Sequence, residues 1–268
     1  MVSYFSYKSE DLYVHFSQDA QPHPSDFKMH SHDQCELYCF FGGKGSFRVE
    51  GTNYPLSVGD ILIMRPYEAH YIDIDASVPY TRSAVQFDIN LFAKVDKEGY
   101  LTRPFTNRET GRLNRYNGNE LGLPYKLFTE SIAAPSGDTR TLIMSWLLPL
   151  LHSISAVFDT RSDDDNSDTI EHRIVSFVGS KISEDISLDT VCREFYISKP
   201  QLCRIFKAAT GSGVWEYITV KRLALARELM QSGTLPTKAA TECGFKDYSV
   251  FYRAYRKHYG TSPSDNKR

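Results

Sequence analysis

A chain of 268 residues, 41% hydrophobic and 24% charged, has an ordinary globular composition and is comfortable for two cores rather than one. Its five cysteines, Cys35, Cys39, Cys192, Cys203 and Cys243, form no CxxC pair, which suits reduced core thiols and argues against a disulfide framework or a cysteine-based zinc site. The net charge of -2 hides an asymmetry: from Thr169 onward 16 Lys and Arg stand against 10 Asp and Glu, while the rest is acidic. Such a split is expected of a nucleic-acid-binding domain attached to a non-binding one.

The opening MVSYFSYKSE has no basic segment followed by an apolar run, so neither a secretory signal nor a transit peptide is apparent and a cytoplasmic location is expected. Up to about residue 90, apolar and polar residues alternate between glycine-marked turns: LYCFF, GGKG, SFRVE, GTN, YPLSVGD, ILIM. This reads as short strands of an antiparallel barrel or sandwich. Within it, HSHDQCE at 30–36 places two histidines and a carboxylate at H-x-H-x3-E spacing, and GDILIMRPYEAH at 59–70 ends in a third histidine.

From 121 to 158 the period becomes helical. Pro124 lies near a helix start, and TRTLIMSWLLPLLHSISAVF sets Ile143, Leu147, Leu150 and Ile154 on one stripe. Met144, Leu148 and Leu151 form a second stripe, more than packing on one barrel requires. Two readings stand, a subunit interface in a homodimer and a helix buried wholly within the chain. The run is broken by Ser145, Pro149 and His152 and falls short of the ~20 residues needed to span a bilayer, so no membrane partner is expected. DTRSDDDNSDT, residues 159–169, holds only small, polar and charged residues and is the linker candidate. It divides the chain into an N-terminal part, 1–158, and a C-terminal part, 170–268.

The C-terminal part carries helix starts and stops in quick succession. IEHRIVSFVGSKI is one helix; Ser187 can cap SLDTVCREF, and Ser198 can cap SKPQLCRIFKAAT, which stops at Gly211. GVWEYITVKRLALARELM, with Trp215, Ile218, Leu225 and Leu229 among its apolar positions, then runs 18 residues from Gly213 to Met230, about 27 Å of helix. A short helix ending at Gly244 and a second recognition-like helix ending at Gly260 follow. RIFKAATG and RAYRKHYG repeat the order Arg, x, aromatic, basic, three residues, Gly. Two helix-turn-helix units joined by a helix of that length can enter successive major grooves, which lie about 34 Å apart.

Residues 170–268 resemble the DNA-binding domain of the AraC/XylS family of bacterial transcription regulators, through SLDTVCREFYIS, LCRIFKAATG, EYITVKRLALARELM, ECGFKDYSVFYRAYRKHYG and TSP. Cys192, Pro236, Ala239 and Asn266 depart from the usual residues, so a looser second unit is expected. On the first recognition helix Lys199, Pro200, Gln201, Cys203 and Arg204 lie on outward turns, while Leu202, Ile205 and Phe206 face the core. On the second, Tyr248, Ser249, Tyr252 and Arg253 form the matching set, with Phe251 and Tyr255 packed. Arg204 is the first candidate for bidentate contact with guanine. Lys207, Arg256 and Lys257 suit phosphates.

HSHDQCELYCFFGG, read as H-x-H-x3-E-x6-G, together with Gly59, Pro66 and His70, resembles the two motifs of the cupin barrel. In cupin enzymes the positions of His30, His32, Glu36 and His70 hold a metal, although His70 follows Pro66 by four residues where the enzyme pattern has five. The resemblance to the regulators implies instead a small-molecule pocket, formed by His30, His32, Glu36, Tyr38, His70 and Tyr71, with no cofactor required; histidines that serve only the barrel's structure are the third reading. No further base or nucleophile set stands out, so no catalysis is expected. The combined expectation is an α+β multidomain protein: a cupin-like N-terminal β-barrel with a helical dimerisation segment, and an all-α C-terminal domain of two helix-turn-helix units. It would be a homodimer binding promoter DNA in response to a small molecule, carbohydrate-related by family habit, and activating through RNA polymerase. The alternative is a metal-dependent cupin enzyme or metal sensor fused to a DNA-binding module.

Overall fold

The computed structural model describes residues 3–23, 26–133, 137–161 and 169–265. Among the described residues, the N-terminal part holds nine strands: β1 (Ser3–Lys8), β2 (Leu12–Asp19), β3 (Cys35–Gly42), β4 (Gly45–Val49), β5 (Thr52–Pro55), β6 (Asp60–Met64), β7 (His70–Ile74), β8 (Tyr80–Phe87) and β9 (Arg115–Asn117). They form two antiparallel sheets, in the orders β1-β2-β8-β3-β6-β9 and β5-β4-β7. Between the sheets, Tyr38, Phe40, Leu62, Met64 and Tyr80 meet Phe47, Val49, Tyr54, Ile72 and Ile74. Because strand side chains alternate, β3 is buried on both faces: Glu36, Tyr38 and Phe40 point between the sheets, while Cys35, Leu37 and Cys39 face away.

That outer face of the large sheet is covered by α2 (Gly118–Ala133) and α3 (Thr139–Phe158), behind the short α1 (Arg103–Thr106). Pro124 follows a kink at Gly122, where φ is 64°. On α3 the stripe Ile143, Leu147, Leu150 and Ile154 is fully buried against the sheet. The second stripe does not form a free apolar face. Leu151 joins the same core, Met144 is partly buried, and only Leu148 is exposed, in a row with Thr141, Ser145, His152 and Ala156. Helix α3 is long and apolar enough to cross a membrane by length and composition, yet its apolar stripe is occupied by the sheet.

The expected linker falls largely on residues 162–168, which lie outside the described residues, as does Asn266. The helical part comprises α4 (Ile170–Ser180), α5 (Leu188–Phe195), α6 (Lys199–Thr210), α7 (Val214–Gln231), α8 (Pro236–Glu242) and α9 (Tyr248–Tyr259). The expected caps are present: Ser187 accepts from the Thr190 amide, and Ser198 and Gln201 form a capping box. Asp247 accepts from the Ser249 and Val250 amides. Two helix-turn-helix units, α5–α6 and α8–α9, flank α7, and each has its own core. The first gathers Val191, Leu202 and Phe206 with α4 and with Val214, Tyr217 and Ile218 of α7. The second gathers Leu223, Ala226, Met230, Ala239, Ala240, Cys243, Phe251 and Tyr255. Trp215, read as an apolar position of α7, is half exposed, and Leu225 and Leu229 are half-buried.

Candidate functional site

Strand alternation builds a cavity of about 320 Å³ at one mouth of the two-sheet domain. Register places Tyr13 of β2 opposite Gln86 of β8 and Gln86 opposite Glu36 of β3; one step along, His15, Ala84 and Tyr38 align in the same way. Tyr80 and Arg82 extend that face of β8, Phe47 and His70 come from the smaller sheet, and Phe27 and His30 approach from the loop before β3. The walls are therefore aromatic, with a few convergent polar groups, the make-up of a small-molecule pocket. Arg82 lies over the Phe27 and Tyr80 rings, 5.7 and 5.9 Å from their centroids.

The histidines converge on Glu36. His32 Nε2 lies 2.7 Å from Glu36 Oε2, to which Gln86 Nε2 also donates at 2.9 Å. His70 Nε2 is 3.8 Å from the same oxygen. His30 and His70 pair as an isolated antiparallel bridge, exchanging backbone bonds of 3.1 and 3.0 Å, with ring centroids 4.3 Å apart. That bridge carries His70 into the cluster despite its shortened spacing from Pro66. The ligand atoms of His30, His32, Glu36 and His70 all lie within 4.8 Å of one another.

Electrostatics follow from burial and pairing. For Glu36, burial opposes ionisation, but the bond from His32 and the nearby imidazoles hold the carboxyl well below its usual range. Burial disfavours charge on His32 as well; the Glu36 carboxylate outweighs it and raises the imidazole above its ordinary value. His70 is pushed down to about 3 by desolvation first and then by His30, so it is neutral. The Tyr38 and Tyr80 hydroxyls bond each other, and burial raises both phenols, keeping them protonated.

Of the residues expected in the pocket, His30, Glu36, Tyr38, His70 and Tyr71 line the cavity. His32 lies behind Glu36 and acts on the cavity through it. Tyr71 also looks the other way: its hydroxyl donates to the Ala208 carbonyl near the end of α6 at 2.9 Å, and its ring packs on Gly211. Gly211 has φ of 73°, and a Cβ there would sit 3.1 Å from the ring. Tyr13, His15, Tyr80, Arg82 and Gln86 were not expected, although the period-two face Tyr80, Arg82, Ala84, Gln86 carries the signal in YTRSAVQF.

On the helical part, Lys199, Pro200, Gln201, Cys203, Arg204 and Lys207 are exposed along α6. Tyr248, Ser249, Arg253, Arg256 and Lys257 are exposed on α9, and Tyr252 is half-buried. Lys199 pairs with Asp189 at 2.9 Å, and the Gln201 carbonyl oxygen is engaged in the capping box. Arg204 and Arg253 form no ion pair among the described residues.

The two parts are joined through residues that sequence reading did not single out. Buried Glu50, at the β4–β5 turn, accepts at Oε1 from Lys221 Nζ (2.6 Å) and the Ala69 amide (2.7 Å), and at Oε2 from the Tyr217 hydroxyl. Lys221 also donates to the Tyr67 carbonyl at 2.8 Å, and Arg227 meets Asp33 at 3.1 Å. Beside Glu50, Gly51 (φ 87°) lies so close to α4 that a Cβ would stand 2.9 Å from Val175 Cγ2. A backbone approach this close needs glycine. Met29 and Ala69, the chain neighbours of His30 and His70, pack into the core of the first helix-turn-helix unit.

Residues 13–115 match the AraC-like ligand binding domain, and residues 191–268 match a helix-turn-helix domain. The chain is 27% identical to the lactose operon transcription activator of Staphylococcus xylosus, over 85% of this chain and 82% of that protein. It is 25% identical to the transcriptional activator RhaR of Escherichia coli K12, over 91% of this chain and 89% of that protein. The crystal structure of ToxT from Vibrio cholerae aligns over 96% of this chain and 97% of that one, with 13% identity and a TM-score of 0.40. The chain thus joins an AraC-like ligand-binding domain to a helix-turn-helix domain, the make-up of the AraC-family transcriptional activators it is similar to.

Proposed function

We propose that residues 1–158 sense a small molecule in the cavity at His30, Glu36, Tyr38, His70 and Tyr71, and that residues 170–268 read promoter DNA through α6 and α9. The observation that carries this reading is the alternation at 69–71. His70 points into the cavity, while Ala69 and Tyr71 on either side touch the first helix-turn-helix unit. A ligand that binds differently to two settings of this strand shifts the unit between two settings as well; a ligand with no such preference shifts nothing. The aromatic walls, with Glu36, His15 and Gln86 among them, suit a hydroxylated, carbohydrate-related effector, and the name of the lactose operon activator points the same way.

In this reading Arg204 and Arg253 contact base edges, aided by Gln201, Cys203, Tyr248, Ser249 and Tyr252. Lys199, Lys207, Arg256 and Lys257 meet phosphates, with Pro200 at the start of the first helix. The protein acts in the cytoplasm as a homodimer through the exposed row of α3 around Leu148, and activates by contact with RNA polymerase. Titration onto DNA from its own upstream region at two salt concentrations tests the core of this. Arg204→Ala and Arg253→Ala should each weaken site-specific binding by about 1–3 kcal/mol and relax preference in different halves of the site. Weak, sequence-blind binding indifferent to both arginines would overturn it.

A further inference from the structure

The effector cavity adjoins a second one of about 350 Å³, which shares His15, Phe27, Tyr80 and Arg82 with it. Arg82 stands where the two meet and, among the described residues, is the only Lys or Arg lining either. Its neighbours in register are Ser17 of β2 and Phe40 of β3, neither of them a carboxylate. Among the described residues its guanidinium forms no hydrogen bond and no ion pair; it rests over the Phe27 and Tyr80 rings, and the N–H fork is left without an acceptor. The carboxylates nearby are engaged elsewhere. Glu36 takes His32 and Gln86, Asp19 accepts from the Gln21 amide, and Asp26, which borders both cavities, does not pair with Arg82. Desolvation, and then the Arg82 charge, hold His15 below its ordinary value, so Arg82 is the standing cation of this wall.

We infer that Arg82 receives an oxyanion, and that the effector is a hydroxylated small molecule carrying one phosphate or carboxylate: a sugar phosphate or a sugar acid. The inference rests on the sensing role proposed above and narrows its ligand from carbohydrate-related to anionic. A guanidinium meets either group with two parallel N–H···O bonds, and in a cavity partly closed to water such a pair is stronger than in solvent. The other end of the wall fixes the ligand's direction. Glu36 lies opposite Gln86, which is four residues along β8 from Arg82, about 13 Å of strand. Its ionised, buried carboxylate accepts ligand hydroxyls and repels the anionic group. The ligand therefore enters one way round, hydroxyls toward Glu36 and Gln86 and oxyanion toward Arg82. A neutral sugar of the same shape leaves the guanidinium fork unfilled.

The test uses the full chain and DNA from its own upstream region. Thermal melting and promoter occupancy are followed with hexose phosphates, pentose phosphates and hexuronates, each beside its neutral parent sugar. At least one anionic probe should raise the melting temperature and alter occupancy, with its neutral parent binding at least about tenfold more weakly. A response confined to the phosphates or to the uronates supports the inference equally and names the oxyanion. Arg82→Gln should erase the difference between anionic probe and parent while leaving the ligand-free melting temperature and the Arg204-dependent DNA binding of the wild type. Arg82→Lys, which keeps the charge without the fork, should retain part of the difference, and it keeps the test meaningful should Arg82→Gln misfold. Neutral sugars that bind as tightly as their phosphates and acids, or an anion preference that survives Arg82→Gln, would overturn the inference and leave the sensing role standing. Silence of all probes, in melting and occupancy alike, would overturn the sensing role and the inference with it.

Discussion

The two helix-turn-helix units have the same plan and opposite surroundings. The first is built into the sensory domain. Ala69 and Met29 pack in its core, Tyr71 bonds the end of its recognition helix, and Glu50 anchors α7 beside it. The second touches the sensory domain chiefly through α7 and its neighbours, with Arg227 at Asp33 and stacked over Tyr259. Their cores differ as well. The first contains Ile, Val, Leu and Phe from four helices and the sheet domain, whereas the second relies on Ala226, Ala239, Ala240 and Cys243 around Phe251 and Tyr255. The first helices of the units differ in capping too: Ser187 caps α5, whereas α8, with Leu235 at its N-cap, has no side-chain cap. Under the sensing role proposed above, a signal from the cavity would reach the first unit directly and the second mainly through α7.

Removing the central aromatic residue of each core is the most severe way to break this comparison. Phe206→Ala and Phe251→Ala should each cost about 3–5 kcal/mol by transfer and cavity formation. The consequences should differ in extent: Phe206→Ala should lower the melting of the sensory domain with it, whereas Phe251→Ala should leave that transition in place and expose only α8–α9 to protease. Identical loss of both domains in the two variants would show that the units are equally coupled.

Next in size is the anchor on α7. Glu50→Ala leaves the Lys221 ammonium and the Tyr217 hydroxyl buried with a partner removed, which should destabilise the docked arrangement by about 3 kcal/mol. Calorimetry should then resolve separate transitions for the sheet domain and the helical domain, where a single merged transition is expected of the wild type. Tyr71→Phe asks less, deleting one hydrogen bond of about 0.5–1.5 kcal/mol to the Ala208 carbonyl. Melting should scarcely move, while the dependence of DNA affinity on effector should fall several-fold, and the half of the site read by α6 should lose more than the half read by α9.

What the sequence disclosed and what it withheld divide along local and non-local lines. Helix ends at Ser187, Ser198, Gly211 and Gly260 were legible because capping and left-handed termination are encoded within a few residues. The repeat of RIFKAATG and RAYRKHYG placed both recognition helices, and H-x-H-x3-E marked the cavity. Glu50 and Lys221 lie 171 positions apart, and nothing in either local stretch indicates that they meet. The second stripe of α3 left two readings open because an amphipathic pattern shows how much of a helix is apolar and not how wide a sheet covers it; here the sheet also takes Leu151. Arg82 and Gln86 were legible in principle from alternation along β8 once Tyr80 was assigned to the inner face. Assigning that face required the register with β2 and β3, which depends on pairing across the chain.

The smallest effect expected comes from a pair remote from both units, which serves as a control on the comparison. Arg140 of α3 holds Asp11, at the β1–β2 turn, through bonds of 2.7 and 2.9 Å. The hydrogen bond from Arg140 is the main cause that brings the Asp11 carboxyl down to about 2 from its ordinary 3.8. Because the folded value lies below the unfolded one, the pair stabilises fully above about pH 4 and loses its contribution as pH falls toward 2. Both side chains are more than a third exposed, so solvent screening limits the effect to less than about 1 kcal/mol. Asp11→Asn should flatten the acid limb of the melting temperature between pH 4 and 2 by this small amount. It should alter neither DNA affinity nor effector response, since the pair lies on the helix-covered side of the large sheet and contacts neither recognition helix; a change in either would mean that the covering helices, and not β7 alone, carry the signal to the first unit.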